Sequence, residues 1–289
     1  MNLPVKYRRT ELLSKHTTFQ IGGLAQYWAE PKDVAQLARL FSWCKKNKKR
    51  VRVIGAGSNI LAVDQGVCGV VVCLNSSSFT AISKVGRFCL VGAGVLLPAL
   101  ISYCTQQGLS GAEFLCGIPG TLGGAIAGNA GTKDKSIGDL VEFVIVMDYN
   151  GNIRKQSAAD LDFTYRNSNL KNCVVLQACL KLVKKDKTII RANIARYALA
   201  RRMSQGKGWL SAGCCFKNPS GDSAGRLIDA CGLKGSRRGQ AIISNSHANF
   251  ILNDGRATAS DVLALIRRIK RSVKKRFGIS LELEIKIWR

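Results

Sequence analysis

The segment Val51-Arg52-Val53-Ile54-Gly55-Ala56-Gly57-Ser58-Asn59 reads as a short strand running into a glycine turn. The residues just past that turn decide the fold. A dinucleotide-binding βαβ unit needs a third glycine and then a helix of about three turns, all within ~30 residues. Here Ile60 stands in the third glycine's place, Gly66 interrupts any helix, and Gly69 to Leu74 already reads as another strand. A second Gly-Ala-Gly, at 92–94, follows the strand Phe88 to Val91 and also lacks its third glycine. A lone GxG is weak evidence, so the doubly wound dinucleotide fold is set aside.

Outward from this turn the chain alternates short strands with a few helices. Asp33 to Lys45 carries Val34, Leu37, Leu40 and Phe41 at helical spacing. Val141 to Tyr149 and Cys173 to Val183 read as strands, the first followed by an Asn150-Gly151-Asn152 turn suited to a hairpin. Between them and the second Gly-Ala-Gly lies the densest glycine run, with glycine at 117, 120, 123, 124, 128 and 131. Glycine costs backbone entropy on folding, so such a run suits a chain passing close to a flat or anionic ligand. Small-residue helix packing is the plainer alternative. Residues 199–209 read as a basic, glycine-containing connector near a lobe boundary. Beyond it, 259–277 is a helix with capping-box spacing at Thr258 and Asp261 and an apolar stripe through Val262, Ile266, Ile269, Val273 and Phe277. A last strand is expected over Ser280 to Ile287.

Composition bounds the function. A chain of 289 residues with 46% hydrophobic content and a mean hydropathy of +0.04 is folded, and long enough for two or three lobes. The 44 Lys+Arg against 18 Asp+Glu give a net charge of +26, which suits nucleic acid, an anionic substrate or a solvated basic face. Aromatics are only 7%, and few accompany the basic stretches at 45–50 and 267–276, so the solvated face is favoured over nucleic acid. The 11 cysteines form no CxxC pair and sit mostly in apolar runs, as reduced core thiols do. No metal site is read from them, and they point to the cytosol. The charged N-terminus is not a signal peptide, and the apolar stretch Gly94 to Cys104, broken by Pro98, is too short to span a bilayer.

Three separated stretches then match one family at once: Val53 to Asn59, Gly117 to Gly131, and Ser211-Ala212-Gly213-Cys214-Cys215-Phe216-Lys217-Asn218-Pro219. Thr18-Phe19-Gln20-Ile21-Gly22-Gly23, Thr164-Tyr165-Arg166, Ala224-Gly225-Arg226-Leu227-Ile228-Asp229 and Leu281-Glu282-Leu283-Glu284-Ile285-Lys286 agree with it. In order, and over nearly the whole chain, they resemble the UDP-N-acetylenolpyruvoylglucosamine reductase (MurB) family of bacterial peptidoglycan precursor synthesis. The length suits its shorter, type II branch.

The resemblance implies an α+β protein of three lobes. Residues 1–187 would form a vanillyl-alcohol-oxidase/PCMH-like FAD-binding region, with lobes at about 1–74 and 75–187. Residues 188–289 would form the substrate-binding lobe and carry the C-terminal catalytic strand. It implies non-covalent FAD, with NADPH and the enolpyruvyl sugar nucleotide as successive substrates, in a cytoplasmic monomer with no nucleic-acid partner and no membrane insertion. The flavin contacts would fall on Gly55, Ala56, Gly57, Ser58 and Asn59, on Gly117, Ile118, Pro119, Gly120, Gly123 and Gly124, and on Ala127, Asn129, Ala130 and Gly131.

Hydride addition at C3 of the enolpyruvyl group leaves carbanion character at C2 beside a carboxylate. That needs a cation on the carboxylate and an acid near C2. By resemblance the cation is Arg166, whose planar fork matches a carboxylate. Cys214 takes the position where many members carry serine as proton donor, and Glu284 assists at the intermediate. Glu282, on the same face of the strand, is the weaker candidate. Tyr165, Lys217 and Asn218 would contact the substrate, Lys217 and Asn218 at its diphosphate. A same-fold oxidoreductase with another substrate would keep the glycine motifs and lose Arg166, Cys214 or Glu284; none is lost. Two departures from the family pattern are the glycines of the connector 205–210 and Thr132-Lys133-Asp134 after the glycine run.

Overall fold

The computed structural model describes residues 3–170, 172–205 and 210–289. Its elements begin with β1 (Tyr7–Leu12), β2 (Leu24–Ala29), α1 (Val34–Lys46), β3 (Val51–Ile54), β4 (Ile60–Ala62), β5 (Val67–Cys73), α2 (Ser77–Thr80), β6 (Ile82–Val85), β7 (Phe88–Gly92), α3 (Leu97–Gln106), β8 (Leu109–Ser110) and α4 (Leu122–Ala127). They continue with β9 (Val141–Asp148), β10 (Ile153–Ser157), β11 (Cys173–Lys181), β12 (Val183–Lys184), α5 (Lys187–Gln205), α6 (Ala224–Ala230), β13 (Arg237–Arg238), β14 (Ala241–Ile243), β15 (Ile251–Asn253), α7 (Ala259–Phe277) and β16 (Lys286–Trp288). The chain divides into two compact, discontinuous units. The first is Met1–Arg9, Tyr27–Ala56 and Gly69–Ala200; the second is Thr10–Gln26, Gly57–Cys68 and Arg201–Arg289.

One sheet runs β1-β2-β5-β3. β3 pairs β5 in parallel, Val51 opposite Val70 and Ile54 opposite Cys73. The connection between these two parallel strands holds β4 and its loops in place of a helix, which is why the glycine turn is not a dinucleotide fingerprint. α1 starts at Asp33, whose carboxylate accepts from Gln36 N at 2.7 Å. It buries Leu37, Leu40, Phe41 and Cys44 in a core shared with Tyr27, Val70, Val72 and Phe79. Each such fully buried Leu or Phe contributes about 1.5–3 kcal/mol.

The other large sheet of the first unit runs β10-β9-β11-β7-β6, antiparallel throughout. β11 is apolar along nearly its whole length because both of its faces are covered. Val175, Ala178 and Leu180 enter a core with α3 and α4, whereas Val174 and Leu176 enter the core of α1. A bulge between Val175 and Gln177 resets the alternation. The β9–β10 turn is held by Asp148 Oδ1, which accepts from Asn150 N at 2.8 Å and Asn152 N at 2.9 Å.

In the second unit α7 buries Val262, Leu265, Ile266, Ile269 and Val273 against Leu227 and Ile228 of α6 and the small sheet β13-β14-β15. The capping box forms: Thr258 Oγ1 accepts from Asp261 N, and Asp261 Oδ2 from Thr258 N, both at 3.1 Å. Asp64 adds a second anchor, accepting from Ala259 N at 2.7 Å and Ser260 N at 3.0 Å.

Two expectations change. The connector expected over 199–209 is helical as far as 205, because 187–205 holds no Gly or Pro and carries helix-favouring alanines at 192, 195, 198 and 200. Its glycines, 206 and 208, lie outside the described residues. The strand expected over 280–287 is broken: Leu283 makes an isolated bridge to Phe216, and only Lys286–Trp288 forms a regular strand, parallel to β4. The segment changes partner on the way, since Glu284 N donates to Cys215 O and Lys286 N to Asn59 O, each at 2.9 Å.

Candidate active site

The glycine-rich segments are built for close backbone approach. A Cβ on Gly55 would overlap Thr121 Oγ1, so the first turn lies against the start of α4. Gly123 N donates to Ala93 O and Leu122 N to Val95 O, each at 2.8 Å, which seats α4 on the second Gly-Ala-Gly turn. Thr121, Leu122, Ala125 and Ile126 are buried, whereas Gly55, Gly117 and Gly124 are exposed. Main chain laid bare at glycine fits a flat ligand carrying phosphate groups, which is what FAD offers. Gly57 and Asn129 hold φ of +63° and +44°. Gly57, Ser58 and Asn59 belong to the second unit, where a Cβ on Gly57 would overlap His16 O and Gly57 O accepts from Thr18 N at 3.3 Å.

Arg166 sits beside the far end of the glycine run, within the first unit. It occupies a tight turn closed by Thr164 N to Asn167 O at 3.1 Å and Asn167 N to Thr164 O at 3.2 Å. Its φ of +58° is a left-handed conformation that costs a non-glycine residue about 1–3 kcal/mol. Hydrogen bonds from both sides hold it there. Ser168 Oγ donates to Ala127 O at 3.0 Å, Asn129 Nδ2 donates to Thr164 O at 3.0 Å, and Arg166 Nη1 reaches Gly131 O at 3.5 Å. Asn129 also accepts from Gly138 N at 3.1 Å. Asn129, proposed from sequence to contact the cofactor, thus ties the glycine run to the arginine turn. Tyr165 is 52% exposed, with the Arg166 guanidinium 5.2 Å from its ring centre.

Cys214 and Glu284 lie in the second unit on adjacent antiparallel segments, Glu284 opposite Cys215. Cys214 bridges Phe250, Glu284 N donates to Cys215 O, and Lys217 N donates to Glu282 O at 2.9 Å. Both Cys214 and Glu284 are half-buried, while Cys215 is 1% exposed. Burial pushes the Cys215 thiol up to about 12, and the neighbouring Cys214 and Glu284 add to the rise. It is therefore a core thiol with no part in proton transfer at neutral pH. Glu282 is exposed and paired with Lys217 Nζ at 3.3 Å, a surface contact worth little to stability that still orients the lysine. Asn218 Oδ1 accepts from Ala224 N at 3.0 Å at the start of α6.

Asn249 was missed from sequence. It is buried at 2% exposure, and its carboxamide takes both polar groups of Phe216. Phe216 N donates to Oδ1 at 3.0 Å and Nδ2 donates to Phe216 O at 2.8 Å. His247 Nδ1 accepts from Asn249 N at 3.2 Å, and burial lowers its pKa, as for a satisfied structural histidine. Asn59 also does more than line a turn: its Nδ2 donates to Glu284 O at 3.2 Å. Among the described residues no cluster of His, Cys, Asp and Glu is arranged to hold a metal ion, and no helix is long and apolar enough to cross a membrane.

Known proteins resemble this chain over nearly its whole length. The profile of the FAD binding domain family matches residues 25–157, and that of the UDP-N-acetylenolpyruvoylglucosamine reductase C-terminal domain matches 205–288. The reductase of Moorella thermoacetica is 42% identical over 287 residues, covering 99% of this chain and 94% of the relative. That of Desulforamulus reducens is 39% identical, covering 96% and 92%. The crystal structure of the Thermus caldophilus UDP-N-acetylenolpyruvylglucosamine reductase superposes with a TM-score of 0.85 at 39% identity, covering 99% of each chain. The fold is accordingly α+β, with a PCMH-type FAD-binding domain and the C-terminal domain of these reductases. The chain belongs to the UDP-N-acetylenolpyruvoylglucosamine reductase family, the FAD-dependent UDP-N-acetylmuramate dehydrogenases of peptidoglycan precursor synthesis.

Proposed function

We propose that this chain reduces UDP-N-acetylenolpyruvoylglucosamine to UDP-N-acetylmuramate at the expense of NADPH, with Arg166, Cys214 and Glu284 acting on the enolpyruvyl unit. Non-covalent FAD would be held by the glycine-rich segments, Gly55 to Asn59 and Gly117 to Gly131. Bound there, it would supply the hydride chemistry that links NADPH to C3 of the substrate. The remaining work falls to side chains. Arg166 binds the substrate carboxylate through its planar fork and stabilises the charge that develops on those oxygens. Cys214 hands its proton to C2, and Glu284 steadies the same centre. Tyr165 packs on the substrate, while Lys217 and Asn218 meet its diphosphate.

The observation that carries this reading is the turn around Arg166. A strained backbone fixed by bonds to Ala127, Asn129 and Gly131 holds the guanidinium beside the cofactor run. A surface arginine at a strand end needs no such support. The first unit would carry most of the cofactor and the second the sugar nucleotide. The enzyme would act as a monomer in the cytoplasm, where its 11 thiols stay reduced.

Arg166→Lys keeps the charge and loses the fork. Sugar-nucleotide-dependent NADPH oxidation should fall by about 10²-fold or more, the size of an oxyanion-type loss. Flavin content should stay unchanged. Full activity in that variant would remove Arg166 from the carboxylate.

A further inference from the structure

The segment that carries the proton donor has little regular structure of its own. Cys214 makes one isolated bridge, and 211–219 belongs to no extended strand. Besides its main-chain bonds to Glu282 and Glu284, one buried side chain grips its backbone directly. Asn249 O accepts from Cys215 N at 2.8 Å, and the Asn249 carboxamide closes a two-bond ring with Phe216 N and Phe216 O. Phe216 itself is fully buried, so neither of its main-chain groups has water to fall back on. Asn249 is in turn fixed by His247 Nδ1 at its own N–H. We infer that Asn249 is a positioning residue for the reduction, holding the Cys214–Lys217 segment so that the Cys214 thiol faces C2 of the bound enolpyruvyl group.

This rests on Cys214 being the donor, and it makes a demand that a plain folding role does not. Loss of the carboxamide should harm only the step that uses the thiol. Asn249→Asp is the sharpest change, because it keeps the shape and the acceptor while replacing the donor to Phe216 O with an oxygen. The full-length, FAD-loaded protein is mixed anaerobically with NADPH, and the reduced enzyme with the enolpyruvyl sugar nucleotide. Flavin reduction should stay within about twofold of the parent while reoxidation slows by about tenfold or more, part of the ~10²–10⁴ a general acid supplies. In the Cys214→Ala background the same change should add no further slowing, since the group it positions is gone.

Equal slowing of both half-reactions, no slowing of either, or losses that multiply in the double variant would overturn the inference while leaving Cys214 as donor. Reoxidation at the parent rate in Cys214→Ala alone would instead sink the donor assignment, and the positioning role with it. If Asn249→Asp fails to retain flavin, Asn249→Ser, neutral and smaller, takes its place with the same outcomes.

Discussion

Cys214 and Cys215 are neighbours in sequence with opposite fates. One is half-buried on the segment facing Glu284; the other is in the core, its thiol held at about 12. Cys214→Ala should therefore slow reoxidation by the sugar nucleotide, by roughly the 10²–10⁴ a general acid supplies, and leave reduction by NADPH near normal. Cys214→Ser, which restores a hydroxyl, should keep measurable turnover. Equal slowing of both half-reactions in Cys214→Ala would remove it as the acid. A residue-scale test of the cofactor cradle is Gly55→Val. Its Cβ would meet Thr121 Oγ1, so the purified variant should carry far less FAD per protein than the parent; a full complement would show that the first turn does not border the cofactor. Motif order made these residues legible, because each needs a particular chemistry. Asn249 was illegible for the opposite reason: a buried amide that bonds main chain leaves no pattern in one sequence.

At the scale of elements, α7 was readable end to end, since its start, stripe and stop are all local. Thr258→Ala should lower stability by about 1 kcal/mol, the usual worth of an N-cap. Denaturant unfolding with an unchanged m-value checks it, and a midpoint equal to the parent's would mean that Asp64 carries the helix start alone. Asp64 was not readable, because its partners Ala259 and Ser260 lie far along the chain. The same limit explains the two misread segments. Residues 199–205 looked like a connector for their charge, yet helix propensity prevailed. Residues 280–287 alternate like a strand, but the backbone leaves the 215–217 segment for Asn59 partway along. Alternation records which face is buried, not how long one partner persists.

For the molecule as a whole, the thiols outside the site define its alkaline limit. Burial holds Cys44 and Cys89 at about 11 and Cys104 and Cys215 at about 12, against an ordinary value of 9.0. Above pH 9 the unfolded chain sheds protons that the folded chain retains, so stability is full below that pH and falls as pH climbs toward 11–12. The unfolding temperature should drop across this window, and Cys104→Ala should flatten the drop; an identical profile in that variant would contradict it. The formal charge of +26 adds to the basic character throughout. The central claim, however, is a reaction on bound FAD, and anaerobic absorbance spectroscopy tests it most directly. NADPH should bleach the flavin bands of the purified protein, and the enolpyruvyl sugar nucleotide alone should restore them. A protein that shows no flavin bands and gains none on addition of FAD, or whose bleached bands ignore that substrate, would contradict the account.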